Sequence, residues 1–218
     1  MGARFDLLVF DWDGTLLDSA GAIVRAIQAA CRDLGLPVPP EERARHVIGL
    51  GLSDALQYAL PDLPAERYPQ LVDRYRHHYL AHDHELHLFD GVPELIGELA
   101  EAGFLLAVAT GKSRLGLRRA FAHSGIGQCF HASRCADECF SKPHPQMLCE
   151  LMDELAVGAE RTLMIGDTTH DLLMAKNAGV AGLAVSFGAH PVEQLEAEAP
   201  LACVHTPAEL RAWLEVNG

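Results

Sequence analysis

In the stretch VFDWDGTLLDS, Asp11, Asp13 and Asp18 fall within eight positions, directly after an apolar run that ends at Phe10. Two carboxylates two residues apart at the end of a hydrophobic strand repel each other. The pair therefore points to a positive partner, or to acid–base chemistry that uses both protonation states of a carboxyl group. A second acidic pair, Asp167 and Asp171 in GDTTHD, has i, i+4 spacing, which puts both carboxylates on one face at the start of a helix. Two familiar loops are excluded. DWDGT does not open a calcium loop, because the sixth position of that loop needs Gly and holds Leu16. GKS at 111–113 does not close a P-loop, because the first Gly of that motif would fall on Leu106. Structural readings also exist for the same residues: Asp13 to Thr15 is a turn signal, and Asp167 with Thr168 is a helix N-cap signal.

The elements that position these residues are short apolar runs separated by helical patterns. FDLLVFD (5–11), FLLAVAT (104–110), RTLMIGD (161–167) and AGLAVSF (181–187) read as buried strands. Between them VPELIGELAEAG, SRLGLRRAFAHSG, PQMLCELMDELAV and TTHDLLMAKNAG carry apolar residues at three- and four-residue spacing, with Gly103 placed to end the first of these helices. This alternation predicts an α/β fold: a Rossmann-like parallel sheet with helices on both faces. In such sheets ligands bind beyond the carboxyl ends of the strands, where Asp11, Thr110 and Asp167 fall. From Ser19 to His87 the rhythm breaks. That interval holds helical patterns punctuated by prolines and no convincing buried strand, so the sequence predicts an inserted α-helical cap domain over 19–87 within an α/β core of 1–18 and 88–218.

Composition narrows the partners. The formal net charge of −13, from 17 Lys and Arg against 30 Asp and Glu, argues against nucleic acid and anionic membrane surfaces, which recruit clustered cations. The N-terminal residues lack the pattern of a secretory signal, and no apolar stretch is long enough to span a bilayer, so a cytoplasmic location is expected. Six cysteines without a C-x-x-C pair read as reduced, buried or tolerated thiols rather than a disulfide scaffold or a zinc site.

DWDGT at 11–15, ATGKS at 109–113, SKPHP at 141–145 and GDTTHD at 166–171 occur in that order. Together they resemble the four motifs of the haloacid dehalogenase-like hydrolase superfamily, and the resemblance covers essentially the whole chain. It implies phosphoryl transfer, which needs a nucleophile, neutralisation of the phosphoryl oxygens and proton delivery to the leaving group. On that resemblance Asp11 is the nucleophile that forms an aspartyl-phosphate, and Asp13 is the general acid and then the general base. Thr110 and backbone N–H groups near Gly111 bind the transferred phosphoryl group, with Lys142 neutralising it. Mg²⁺ is the implied cofactor, held by Asp11, the Asp13 backbone carbonyl, Asp167 and Asp171. The presence of Asp13 favours phosphate esters over carbon–halogen substrates, and the helical insert resembles the mobile cap of the phosphoglycolate phosphatase and β-phosphoglucomutase group.

The expected function is a Mg²⁺-dependent phosphatase acting on a small phosphorylated metabolite, phosphoglycolate being the leading named substrate. The rivals are phosphoryl transfer of the β-phosphoglucomutase kind and a non-catalytic binding protein on the same fold. GLGLSDAL (49–56) looks like the cap loop that reaches the substrate, with Arg43, Arg45 and His46 nearby. Arg114, the first of three arginines on the helix after the second motif, is a candidate substrate-binding residue. Five histidines between His77 and His87 read as solvated or packed side chains at the cap-to-core junction, and the sequence leaves the oligomeric state open.

Overall fold

In the computed structural model, which describes residues 4–218, six strands form one parallel sheet in the order β3-β2-β1-β4-β5-β6. Residues 1–3, where the stretch read for a targeting signal begins, lie outside the described residues. The strands are β1 (Leu7–Phe10), β2 (Leu105–Thr110), β3 (Ala132–Cys135), β4 (Thr162–Gly166), β5 (Ala181–Val185) and β6 (Cys203–Val204). The helices are α1 (Ala20–Asp33), α2 (Glu41–His46), α3 (Leu52–Ala59), α4 (Tyr68–His82), α5 (Val92–Glu101), α6 (Arg114–Ser124), α7 (Gln146–Leu155), α8 (Thr169–Asn177), α9 (Val192–Ala197) and α10 (Pro207–Asn217).

Period-two alternation along β1 explains why helices cover both faces. Leu8 and Phe10 point into a cluster with Val92, Leu95 and Ile96 of α5, Leu117 of α6 and Leu210 and Leu214 of α10. Leu7 and Val9 point the other way, onto Met147, Leu148 and Leu151 of α7 and Met174 and Ala175 of α8. All four β1 residues are buried, which is why the strand is apolar without alternation in the sequence. Trp12, fully buried just past β1, packs edge-on to Phe121 at a centroid distance of 5.3 Å and so fixes the loop that carries the acidic pair.

Chain order reverses beside β1, with β2 and β3 laid down on one side and β4, β5 and β6 on the other. Its register pairs Phe10 with Val108 of β2 and with Ile165 of β4. Asp11 is therefore one step beyond the last pair, between the ends of β2 and β4, at the crevice that open α/β sheets use for ligands.

Helices α1 to α4 have an apolar cluster of their own, built on Ile27, Ala44, Val47, Ile48, Leu56 and Leu71. Two chain crossings join this helical segment to the sheet, and they pair with each other. Leu17 bridges Leu88 in antiparallel fashion, Asp18 N donates to His87 O at 3.0 Å, and Phe89 N donates to Leu16 O at 3.0 Å.

The four strands expected from apolar runs are present, each one to three residues shorter than its run; Asp11 and Asp167 fall in the loops that follow, and Thr110 is the last residue of β2. Gly103 follows α5 with a φ of +90°, the left-handed position expected of it. The strands β3 and β6 lie at the two sheet edges and were absent from the expectation. β3 reads ASRC and is half exposed, so no buried run marks it. The short helices α2 and α9 and the C-terminal α10 were also not anticipated. Among the described residues no helix is long and apolar enough to cross a membrane.

Candidate active site

Four loops converge at the carboxyl ends of β1, β2 and β4. Asp11 follows β1, its backbone N–H donating to Ile165 O of β4 at 2.9 Å, and its carboxylate is completely buried. Lys142 Nζ sits 2.7 Å from Asp11 Oδ1 and 2.7 Å from Asp171 Oδ1, with both side chains of each pair sealed from solvent. Asp11 Oδ2 is buried and has no hydrogen-bond partner among the described residues. An ionised oxygen left bare in this way is costly unless a ligand supplies the missing partner.

Asp167 and Asp171 are held by hydrogen bonds set up by their own loops. Thr15 Oγ1 donates to Asp167 Oδ1 at 2.7 Å, and Ala189 N donates to Asp167 Oδ2 at 2.7 Å. Thr168 is the N-cap of α8 and forms a capping box with Asp171, whose Oδ2 accepts from Thr168 N at 3.1 Å and from Thr168 Oγ1 at 2.7 Å. The capping reading and the ligand reading of this motif thus describe the same atoms. One carboxylate oxygen from each of Asp11, Asp167 and Asp171 lies within 4.8 Å of the others. Three converging buried carboxylates, one with an orphaned oxygen, suit a hard divalent cation.

Burial pushes the Asp11 carboxyl well above its ordinary range, opposed by Lys142 and reinforced by Asp171 and Asp167. Burial, with the Asp171 charge added, pushes Asp167 up to about 7. Burial works against charge on Lys142, but Asp11 and Asp171 more than offset it and hold the ammonium above its usual value. Lys142 accordingly stays charged while Asp11 and Asp167 resist ionisation.

Asp13 lies on the other side of Asp11's loop. Ser19 Oγ donates to Asp13 Oδ1 at 2.7 Å, and Lys112 Nζ lies 2.9 Å from the same oxygen. Ser19 occupies the N-cap position of α1, yet it makes no cap with its side chain, because the hydroxyl is turned to Asp13 instead. Gly14 permits this turn. Its φ is +83°, and a Cβ there would stand 2.2 Å from Asp167 Oδ2. Thr110, fully buried at the end of β2, accepts from Lys112 N at 3.2 Å through its hydroxyl.

The loop at 49–51 closes over these groups. A Cβ at Gly111 would stand 2.4 Å from Leu50 O, and Gly51 N donates to Ser141 Oγ at 2.8 Å, so the loop touches the second and third motifs directly. Tyr79 of α4 accepts from Lys112 Nζ at 2.9 Å and adds a second tie from the helical segment to the sheet.

A family model of the haloacid dehalogenase-like hydrolases matches residues 8–185. The chain belongs to this family. A probable phosphatase of Dickeya dadantii, IndB, is 39% identical over 211 residues, spanning 94% of this chain and 91% of that protein. A phosphoglycolate phosphatase of Vibrio parahaemolyticus is 33% identical over 221 residues, spanning 97% and 96%. A solved haloacid dehalogenase-like hydrolase from Streptococcus pneumoniae superposes with a TM-score of 0.83 at 25% identity, covering 96% of this chain and 98% of that one.

Within this haloacid dehalogenase-like hydrolase, Lys142 contacts Asp11 and Asp171, and Asp167 converges on the same two carboxylates; Asp13 and Thr110 follow in the adjoining strand ends. Arg114, a substrate-binding candidate from the sequence, lies apart from this cluster. It opens α6 and turns to the sheet edge, where its guanidinium bonds Ser133 Oγ at 2.6 Å and Glu138 at 2.8 and 2.6 Å, so it takes no part in the carboxylate cluster. The ion pair holds the Glu138 carboxyl below its usual range. Arg45 pairs with Glu41 one turn back on α2, and Arg43 is exposed.

Sequence reasoning missed Lys112, Ser19 and Tyr79 as a unit, and it missed a histidine clasp. His46 O, at the end of α2, accepts from His170 Nε2 at 2.7 Å and His190 Nε2 at 3.1 Å, and the His46 ring stacks on His190 at 4.9 Å. Burial lowers His170 below the usual histidine range and holds His190 down at about 4, so these two rings are neutral near pH 7. Its sequence signals were separate, His46 beside the 49–56 loop and His170 inside GDTTHD, and nothing in the sequence joined them.

Proposed function

We propose that this hydrolase is a Mg²⁺-dependent phosphatase that cleaves a small phosphate monoester through an aspartyl-phosphate on Asp11. The observation that carries the reading is the bare, buried Asp11 Oδ2 beside a permanently charged lysine at the sheet's switch point. In the first half-reaction an Asp11 oxygen attacks phosphorus, and the bond to the ester oxygen breaks. The recorded contacts of the Asp13 carboxylate fall on Oδ1, which leaves Oδ2 to carry the proton delivered to that oxygen. In the second, Asp13 takes a proton from water, the water oxygen attacks phosphorus, and phosphate leaves with Asp11 regenerated.

Thr110 Oγ1 and the Gly111 N–H orient the phosphoryl oxygens, and Lys142 neutralises both them and the nucleophile. A divalent cation held by Asp11, Asp167, Asp171 and the Asp13 carbonyl supplies further positive charge to those oxygens when bound. Residues 19–87 act as the cap. With Asp11 and Lys142 sealed from solvent, substrate enters only when the 49–51 loop withdraws, and the paired crossings at Leu17 and Leu88 are the place for that motion. Closure then excludes bulk water from the ester. The relatives named as phosphatases support phosphate esters as the substrate class, and one of them is named for phosphoglycolate.

The test is phosphate release from a panel of small esters, with and without Mg²⁺, in water enriched in ¹⁸O. Mg²⁺-dependent release of labelled phosphate is expected. Interconversion of sugar phosphates without free phosphate would replace the reading with a mutase, and no turnover of any ester would leave a binding protein.

The cation also carries a stability prediction. The folded-state pKa of Asp167, about 7, lies above the ordinary value of 3.8. Its stabilising contribution is therefore complete below about pH 4 and is lost as pH rises through about 7. Without a divalent cation Tm is expected to fall across that window. Mg²⁺ compensates the emerging charge, so the Tm gain on adding it is larger at about pH 8 than at about pH 5. Scanning calorimetry at both pH values checks this, and equal gains would remove Asp167 from the cation site.

A further inference from the structure

A cavity of about 480 Å³ opens where the end of α4, the returning segment 83–88 and one side of α6 meet. Its lining is rich in basic side chains in a chain whose net charge is −13: Lys112, Arg119, His84, His87 and His123 face it, against Asp83 as the single acid of the lining among the described residues. Arg119 makes no ion pair among the described residues, unlike Arg114 five positions earlier on the same helix. Leu17, Leu86 and Leu88 supply an apolar wall. Asp13 neutralises Lys112, which leaves Arg119 as the unpaired permanent cation of the lining among the described residues. A concave site with apolar walls and one such cation suits an organic anion.

Lys112 ties this cavity to the chemistry. It lines the cavity, and its Nζ lies 2.9 Å from Oδ1 of Asp13, the group that protonates the leaving oxygen in the reading above. Through that contact the cavity borders the leaving-group side of the site. Lys112, Gly116, Arg119 and His123 line the cavity in succession, so Arg119 is displaced from the Lys112 end by most of a helical turn past Gly116, about 4.5 Å at 1.5 Å per residue, room for a skeleton longer than two carbons.

We propose that this cavity receives the leaving group, and that the preferred substrate is a phosphate monoester whose carbon skeleton is longer than glycolate and ends in a second anionic group, carboxylate or phosphate, bound at Arg119. The inference rests on the phosphatase reading. It adds a specificity-determining residue from α6 of the core, outside the four motifs.

The experiment compares linear phosphate esters that end in an anion with esters of equal length that end in a hydroxyl, using wild type, Arg119→Glu and Arg118→Glu. Arg118 is exposed on the same helix but does not line the cavity, so its variant carries the same charge change without the contact. The ratio of kcat/KM for anion-ended over hydroxyl-ended esters is expected to fall about tenfold or more in Arg119→Glu and to hold within about twofold in Arg118→Glu. An unchanged ratio in Arg119→Glu, equal falls in both variants, or a preference for phosphoglycolate over every longer anion overturns the proposal while leaving the phosphatase intact.

If wild type hydrolyses no ester, calorimetric binding decides. A linear alkane bisphosphonate long enough to span both sites is expected to bind wild type more tightly than the matching monophosphonate, with the advantage lost in Arg119→Glu, and no advantage in wild type overturns the proposal. Noncompetitive inhibition or activation by free phosphate against a hydroxyl-ended ester assigns the cavity to a separate effector and overturns the leaving-group assignment.

Discussion

Asp11→Asn is expected to reduce phosphate release by a factor on the order of 10⁴ or more, because the amide cannot form the aspartyl-phosphate that divides the reaction into two steps. The fold is expected to survive. Asp11 is fully buried and burial holds its carboxyl well above the ordinary range, so a neutral isostere removes a charge the interior disfavours, while Lys142 keeps Asp171 at 2.7 Å. The measurement pairs steady-state phosphate release with thermal unfolding and with mass spectrometry of acid-quenched enzyme. Wild type caught in turnover should carry a phosphoryl adduct that the variant lacks. Turnover near the wild-type rate in a folded Asp11→Asn would transfer the nucleophile's role elsewhere.

Lys142→Met is expected to cost stability on a scale that few single substitutions reach. The methionine fills most of the volume, so the loss is one of charge: Asp11, Asp167 and Asp171 are left converging within 4.8 Å with no cation from the protein between them. Breaking a buried ion pair by removing one partner costs about 3–5 kcal/mol. The sign with pH follows from the same groups. Protonating Asp11 and Asp167 relieves the repulsion, so the deficit relative to wild type is largest above about pH 7 and shrinks toward about pH 5. Chemical denaturation at the two pH values measures it. A deficit equal at both would mean that packing, and not charge, is what Lys142 contributes.

Much of the fold and site was written locally. Strands buried on both faces produce unbroken apolar runs, so β1, β2, β4 and β5 were legible, and a polar residue ending such a run marks the carboxyl edge where ligands bind. Asp11, Thr110 and Asp167 were placed by that reasoning, and Asp171 by its i, i+4 relation to Asp167. The helical segment between Ser19 and His87 was legible because prolines and helical spacing replace the strand rhythm there. The edge strands β3 and β6 left no such mark, since an edge is half exposed and tolerates polar residues.

Contacts between residues far apart in the chain were decided by the tertiary structure. Lys112 lies in the ATGKS motif with no partner marked by its neighbours, but α4 brings Tyr79 and the β1 loop brings Asp13 to its ammonium. Arg114, two residues on, is carried by the turn of α6 to the opposite side, against Ser133 and Glu138. His46, His170 and His190 meet only because α2 lies over the start of α8 and the loop after β5. Periodicity and strand-end chemistry depend on neighbours along the chain and can be read there. Which cation faces which carboxylate depends on how helices from distant segments cross, and that was fixed only when the apolar faces packed.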